Sequence, residues 1–186
     1  MRSTAAEQAT SASESAARRL KALLGDAVQE PRVERDGVLT VAVAREAVIA
    51  VLTELRDNPD HEFRVLIDLT AVDYGHGKRT PRFDVVYSLL SRRDVARIRL
   101  AVGVDEGDEW VPTATSVYPC ANWLEREVYD LMGIRFDGHP DLKRIELPED
   151  YDGHPLRKEF PLRGGHRQVR RPEDPEPHFG HRFRAR

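Results

Sequence analysis

Four prolines, at positions 140, 148, 155 and 161, punctuate the segment GIRFDGHPDLKRIELPEDYDGHPLRKEFPL that runs from Gly133 to Leu162. Each biases the residue before it, His139, Leu147, His154 or Phe160, towards extended backbone, so helix is excluded across most of the segment. A stretch of this length without regular structure is uncommon inside a compact domain and points to function. Its apolar residues, Phe136, Leu142, Ile145, Leu147, Leu156, Phe160 and Leu162, recur too often for a free linker. They need cover, either from the chain's own sheet or from another protein. An extended arm with alternating anchors is well suited to holding a partner.

The residues upstream read as alternating strands and amphipathic helices. Ala16, Leu20, Leu23 and Leu24 have helical spacing, which predicts a first helix from Ser11 to about Val28, with Gly25 loosening or ending it. Val38 to Ala44 alternates as a strand, and Arg45 to Asp57 returns to helical spacing through Val48, Val51, Leu52 and Leu55. Phe63–Thr70, Phe83–Leu90 and Ala96–Val102 then alternate in turn, which predicts a three-stranded meander. In the last of these Ala96, Ile98, Leu100 and Val102 point inward while Arg97 and Arg99 point outward, the mark of a sheet with one wet face. Trp110 to Tyr118 contains a further short extended piece. Pro119 stands at the start of a helix that runs to Met132, with Gly133 as its cap and Ala121, Leu124, Val128 and Leu131 as its apolar stripe. The expected fold is α+β: a two-layer sandwich of helices on a mixed, mainly antiparallel sheet, followed by a long extended C-terminal arm. The expected division is a flexible N-terminus (1–18), an α+β domain (19–133), a partner-binding arm (134–162) and a basic flexible tail (163–186).

The chain of 186 residues is long enough for one core without disulfide or metal support. Its single cysteine, Cys120, cannot by itself frame a zinc ribbon or an iron–sulfur cluster. There is no GxGxxG or GxxxxGK[ST], and Gly75 and Gly77 form only a fragment of a glycine-rich loop, so nucleotide binding has no support. No apolar run approaches the roughly 20 residues of a membrane helix, and the N-terminus lacks an apolar targeting core, so any membrane contact is expected to be indirect. The net charge of −3 is uneven: from Arg163 onward seven basic residues face three acidic ones. Interspersed Phe179 and Phe183 give this tail a nucleic-acid-binding reading, but its acidic and proline breaks favour an arm against an acidic partner or anionic headgroups, and no nucleic acid is expected.

The chemistry concentrates in the helix ending at Met132. Glu127 and Asp130, three residues apart, repel by roughly 0.2–0.5 kcal/mol, and Asp130 lies in the last turn, where the helix dipole opposes it. Arg126 can pair with Asp130 in the weaker orientation. One reading is a solvated charged face; the other is carboxylates awaiting Arg144 or Arg157. Gly-His-Pro occurs twice, at Gly138–His139–Pro140 and Gly153–His154–Pro155. A metal site there lacks a tight ligand framework, so backbone-bonding histidines are the alternative. His76, near Asp73 and Tyr74, reads the same way, and Cys120 has no identifiable histidine partner for nucleophilic work.

The run from Asn122 to Leu162 closely resembles the signature of the C-type, or 30-kilodalton-type, subunit of the proton-translocating NADH-quinone oxidoreductases, respiratory complex I. Glu125, Arg126, Glu127, Asp130, Gly133, Phe136, Gly138, His139, Pro140 and Leu142 carry the first half of the pattern, and Gly153, His154, Pro155, Arg157 and Lys158 the second. Arg64–Asp73 and Phe83–Leu90 are similar to the family's sheet. Lys143 and Glu159 stand where the family has Arg and Asp, which keeps charge but not geometry. The resemblance implies an accessory subunit of the hydrophilic arm, beside the D-type subunit and neighbouring iron–sulfur subunits, peripheral at the cytoplasmic face of the cell membrane. NAD, FMN, iron–sulfur clusters and quinone would sit on partner subunits, with no cofactor, metal or catalytic residue in this chain. Glu125, Glu127, Asp130, Arg144 and Arg157 are then candidates for internal and intersubunit ion pairs. A related membrane-bound hydrogenase or ferredoxin-dependent complex is the alternative home.

Overall fold

The computed structural model describes residues 2–161; the basic segment 163–186 and the arm's last anchor, Leu162, lie outside the described residues. Helix α1 (Arg2–Leu24) starts nearer the N-terminus than the predicted Ser11 and ends in a 3₁₀ turn, Gly25–Ala27. Residues 2–18, expected to precede the domain, are thus helical, and Ser13, Ala16 and Ala17 are buried against it. The extension follows from composition: alanine, serine and glutamate turn after turn carry little apolar signal but tolerate helix.

Strand β1 (Arg32–Val33) is a two-residue edge, followed by β2 (Leu39–Val43), a 3₁₀ turn at Arg45–Ala47 and α2 (Val48–Asp57). The long strands β3 (Val65–Asp73), β4 (Phe83–Ser91) and β5 (Ala96–Val104) form the expected antiparallel meander. β2 then pairs parallel with β5, bringing Leu39, Val41 and Val43 opposite Ile98, Leu100 and Val102, which gives a mixed five-stranded sheet in the order β1-β2-β5-β4-β3. One face of that sheet is buried through Val41, Val85, Tyr87, Leu89 and Leu100, and the helices supply the second layer, α1 over β5 and α3 (Ala121–Met132) over β3. Arg97 and Arg99 stand on the opposite, wetter face.

β6 (Trp110–Pro112) pairs parallel with β7 (Arg135–Asp137), a short second sheet that joins the segments preceding and following α3. The arm therefore opens with a strand that belongs to the domain: Phe136 is buried opposite Val111. Beyond Asp137 the chain runs in turns and bends without helix. No helix among the described residues is long and apolar enough to cross a membrane.

Candidate partner-binding site

α3 ends at Gly133, whose φ of +75° turns the chain back through a conformation that side chains resist. That reversal brings the arm against the last turn of its own helix, where Asp130 is fully buried. One carboxylate oxygen, Oδ2, accepts the backbone N–H groups of Ile145, Glu146 and Leu147 at 3.0, 2.8 and 3.0 Å. The other accepts Nη1 of Arg144 at 2.9 Å. Burial alone would raise the pKa of Asp130, but three amides and a guanidinium outweigh it and hold the carboxyl below its ordinary range. Arg144 also donates to the carbonyls of Tyr151 and Gly153, so one side chain ties the arm to the helix and to itself. Nδ1 of His154 lies 2.9 Å from the carbonyl oxygen of Asp130; a carbonyl only accepts, so Nδ1 carries the hydrogen. Burial lowers the pKa of His154, in keeping with a neutral ring. Arg157 donates through Nε to the carbonyl of Met132 at 2.7 Å and stands 3.5 Å from Glu109.

A second anchor lies at the end of β3. Asp73 receives a bidentate pair from buried Arg82 at 2.9 and 2.8 Å and the backbone N–H groups of Gly75 and Lys158, each at 2.8 Å. The Arg82 guanidinium holds the Asp73 carboxyl well below the usual range. The same guanidinium reaches Glu106 and, in the arm, Glu159. Lys158 thus contributes its backbone here while its own side chain is exposed. Two buried carboxylates of the domain, Asp73 and Asp130, act as sockets for the backbone of the arm.

The first Gly-His-Pro turn seats against the start of α3. Nε2 of His139 donates to the carbonyl of Asn122 at 3.1 Å, and Nδ1 accepts the backbone N–H of Asp141 at 3.0 Å. Both histidines of the repeated motif therefore bond backbone. Glu125 does not meet the arginine or lysine expected of it. It is fully buried, accepts the Thr113 hydroxyl and the Ala114 N–H at 2.6 Å each, and burial pushes its pKa up to about 7. Arg126 turns away from Asp130 to the Lys143 carbonyl and lies over the Trp123 ring, and Glu127 is exposed with no charged partner among the described residues. Gly138 is exposed at a φ of +82°, Pro140 is exposed, and Leu142 and Pro155 are half-buried. Cys120 stands exposed just before α3.

Although the arm is pinned, part of its apolar surface stays in water. Trp123, Ile145 and Leu156 are 63, 36 and 52% exposed. They follow α3 from first turn to last: Arg126 links Trp123 to the carbonyls of Lys143 and Arg144, and the Leu156 N–H bonds the carbonyl of Leu131. Three large apolar side chains held in water on an ordered framework make this face a candidate interaction surface. Asp73, Arg82, Glu106 and Thr113 were missed from sequence as members of this site. The one clue was position, since Asp73 closes a strand just before the glycines of the β3–β4 turn.

Comparison with known proteins gives a family match that spans most of the domain and the arm. The profile of the family described as "Respiratory-chain NADH dehydrogenase, 30 Kd subunit" matches residues 41–166. The C-type subunit of the NADH-quinone oxidoreductase of Methylobacterium sp. (strain 4-46) is 48% identical over 87% of this chain and 73% of its own length. Its counterpart in Geobacter sulfurreducens is 48% identical over 71% of this chain and 80% of its own. Among solved structures, the trypsin-resistant fragment (1-134) of Nqo5 aligns with a TM-score of 0.54 and 34% identity, over 67% of this chain and 97% of the fragment. A chain of the membrane-bound sulfane sulfur reductase, an archaeal respiratory membrane complex, shares the fold with a TM-score of 0.65 at 21% identity, over 80% of this chain and 85% of that one.

Proposed function

The chain belongs to the family of the 30-kilodalton subunit of respiratory-chain NADH dehydrogenase, and from that premise we propose that it is a cofactor-free accessory subunit that braces the peripheral arm of a proton-translocating NADH-quinone oxidoreductase. Its partners are other subunits of the complex, chiefly the D-type subunit and neighbouring iron–sulfur subunits, at the cytoplasmic face of the membrane. NAD, FMN, iron–sulfur clusters and quinone reside on those partners. The observation that carries this reading is the arm, locked to its own domain by Asp73 and Asp130 yet exposing Trp123, Ile145 and Leu156. A preordered docking element loses little conformational entropy on binding and holds its partner in one geometry. Rigid support matters in a complex whose electron path crosses from one protein to the next.

The test is affinity purification of the tagged chain from its host in mild detergent, with identification of the co-purifying proteins and an NADH-quinone reductase assay. Recovery of membrane and iron–sulfur subunits together with activity is expected. Recovery with hydrogenase-type or ferredoxin-linked subunits, or of the chain alone, overturns the assignment to an NADH-driven complex.

A further inference from the structure

Two fully buried titratable side chains meet where the arm leaves the domain: Nε2 of His139 stands 4.0 Å from Oε2 of Glu125. Glu125 has two donors, the Thr113 hydroxyl and the Ala114 N–H, both from the loop after β6. An ionised carboxylate can accept about four hydrogen bonds, so this environment leaves it short. No arginine or lysine pairs with it among the described residues. β4 contributes Tyr87, buried with a hydroxyl that has no hydrogen-bond partner there; β7 contributes apolar Phe136; and the core face of β3 beneath α3 carries apolar Leu69 and Ala71. Besides the unpartnered Tyr87 hydroxyl, His139 is the further donor beside the carboxyl, and its hydrogen is committed elsewhere, to the carbonyl of Asn122. Its other nitrogen is also committed, because the Asp141 N–H occupies the Nδ1 lone pair. The ring is thereby fixed as the Nε2–H tautomer.

We propose that Glu125 and His139 form a proton-dependent latch at the root of the arm. With Glu125 neutral, His139 stays bonded to Asn122 and Asp141 and the Gly138–Pro140 turn is seated as observed. Loss of the proton from Glu125 to solvent draws the Nε2–H of His139 onto Oε2, frees the Asn122 carbonyl and shifts the turn. The bearing of this latch on assembly rests on the arm being the partner-binding element; the latch itself is a property of the isolated chain.

The experiment is a pH titration of the full-length chain by NMR, following the Glu125 carboxyl carbon, the His139 ring nitrogens and the Asp141 amide. All three signals are expected to share one midpoint near 7, that of Glu125. In Glu125→Gln the step near 7 disappears from the His139 and Asp141 signals, and in His139→Leu the Glu125 midpoint rises because a donor beside it is removed. Complete ionisation of Glu125 by pH 5, or identical His139 profiles in the wild type and Glu125→Gln, overturns the latch. Should Glu125→Gln not fold, separate midpoints for Glu125 and His139 in the wild type overturn it equally. None of these results touches the co-purification test of the proposed function.

Discussion

An aspartate in the last turn of a helix sits at the negative end of the dipole, and Asp130 holds that position only because the arm delivers three amides and a guanidinium to it. Replacing it with asparagine removes the charge from Arg144 and turns an N–H₂ group towards donors. Loss of one partner from a buried pair costs about 3–5 kcal/mol, with the lower end apt here because Arg144 retains some contact with water. Asp130→Asn is expected to release the arm before the sheet: hydrogen exchange should accelerate at Ile145, Glu146 and Leu147 while β4 and β5 keep their protection. Equal acceleration in both would make Asp130 part of the global core. The buried acids also set opposing pH windows. Asp73 and Asp130, lowered by their partners, contribute stability above the unfolded carboxyl range, and lose it as pH falls through their folded values. Glu125 has the opposite sign. Raised from 4.5 to about 7, it takes up a proton on folding, so its contribution is complete below pH 4.5 and declines, by roughly 3 kcal/mol, as pH rises through 7. Chemical denaturation at pH 5, 6, 7 and 8 should show the wild type weakening and Glu125→Gln staying level; parallel slopes would assign the decline to another group.

At the scale of elements, α3 shows where sequence patterning succeeds and where it stops. Its length, its cap at Gly133 and the meander it packs on follow from apolar period and glycine placement, and the structure agrees within a few residues. Its buried face differs from the purely apolar stripe of Ala121, Leu124, Val128 and Leu131. The observed line is Ala121, Glu125, Val128 and Met132, with Leu124 and Leu131 only half-buried. Hydrophobic spacing cannot select a face containing glutamate, because what permits that burial is a hydroxyl and an amide from the loop before the helix, at Thr113 and Ala114. The β6–β7 pairing and the Asp73 socket were hidden for a related reason: three-residue strands carry little periodicity, and a backbone donor such as the Lys158 N–H leaves no residue-type signal. Gly133 carries two constraints at once. Beyond its positive φ, a Cβ there would lie 2.6 Å from the His154 ring and 2.8 Å from Arg157 Nη2. Gly133→Ala is expected to lose roughly 1–2 kcal/mol through backbone strain and to displace the second Gly-His-Pro turn as well. Asparagine tolerates left-handed backbone but brings the same Cβ, so it separates the two effects. Trypsin cleavage after Arg157 and Lys158 should speed up in both variants. Restoration by Gly133→Asn would reduce the constraint to backbone strain alone.

For the whole molecule, the arrangement separates what holds the chain together from the apolar surface that the proposed function assigns to its partners. The sockets at Asp73 and Asp130 are satisfied internally, whereas the ribbon of Trp123, Ile145 and Leu156 leaves a third or more of its surface in water. Substitutions at exposed positions usually change stability by no more than about 0.5 kcal/mol, so the ribbon can be altered without a folding penalty. Truncating a buried aromatic anchor at an interface, in contrast, typically costs about 2 kcal/mol or more of binding. Trp123→Ser combined with Leu156→Ser should leave the thermal midpoint of the isolated chain almost unchanged. The same double variant, expressed in place of the wild type, should lower the yield of assembled oxidoreductase and its NADH-quinone reductase activity in parallel, because fewer complexes form while each retains its turnover. The check is native electrophoresis of solubilised membranes with activity normalised to assembled complex. Full assembly would show that the ribbon faces solvent in the complex, and a matching fall in the chain's own stability would return both residues to the fold. The reciprocal variant Asp130→Asn keeps the ribbon's side chains but loosens their support, so a similar assembly defect there would identify preorganisation of the arm, alongside its apolar contacts, as what the partner requires.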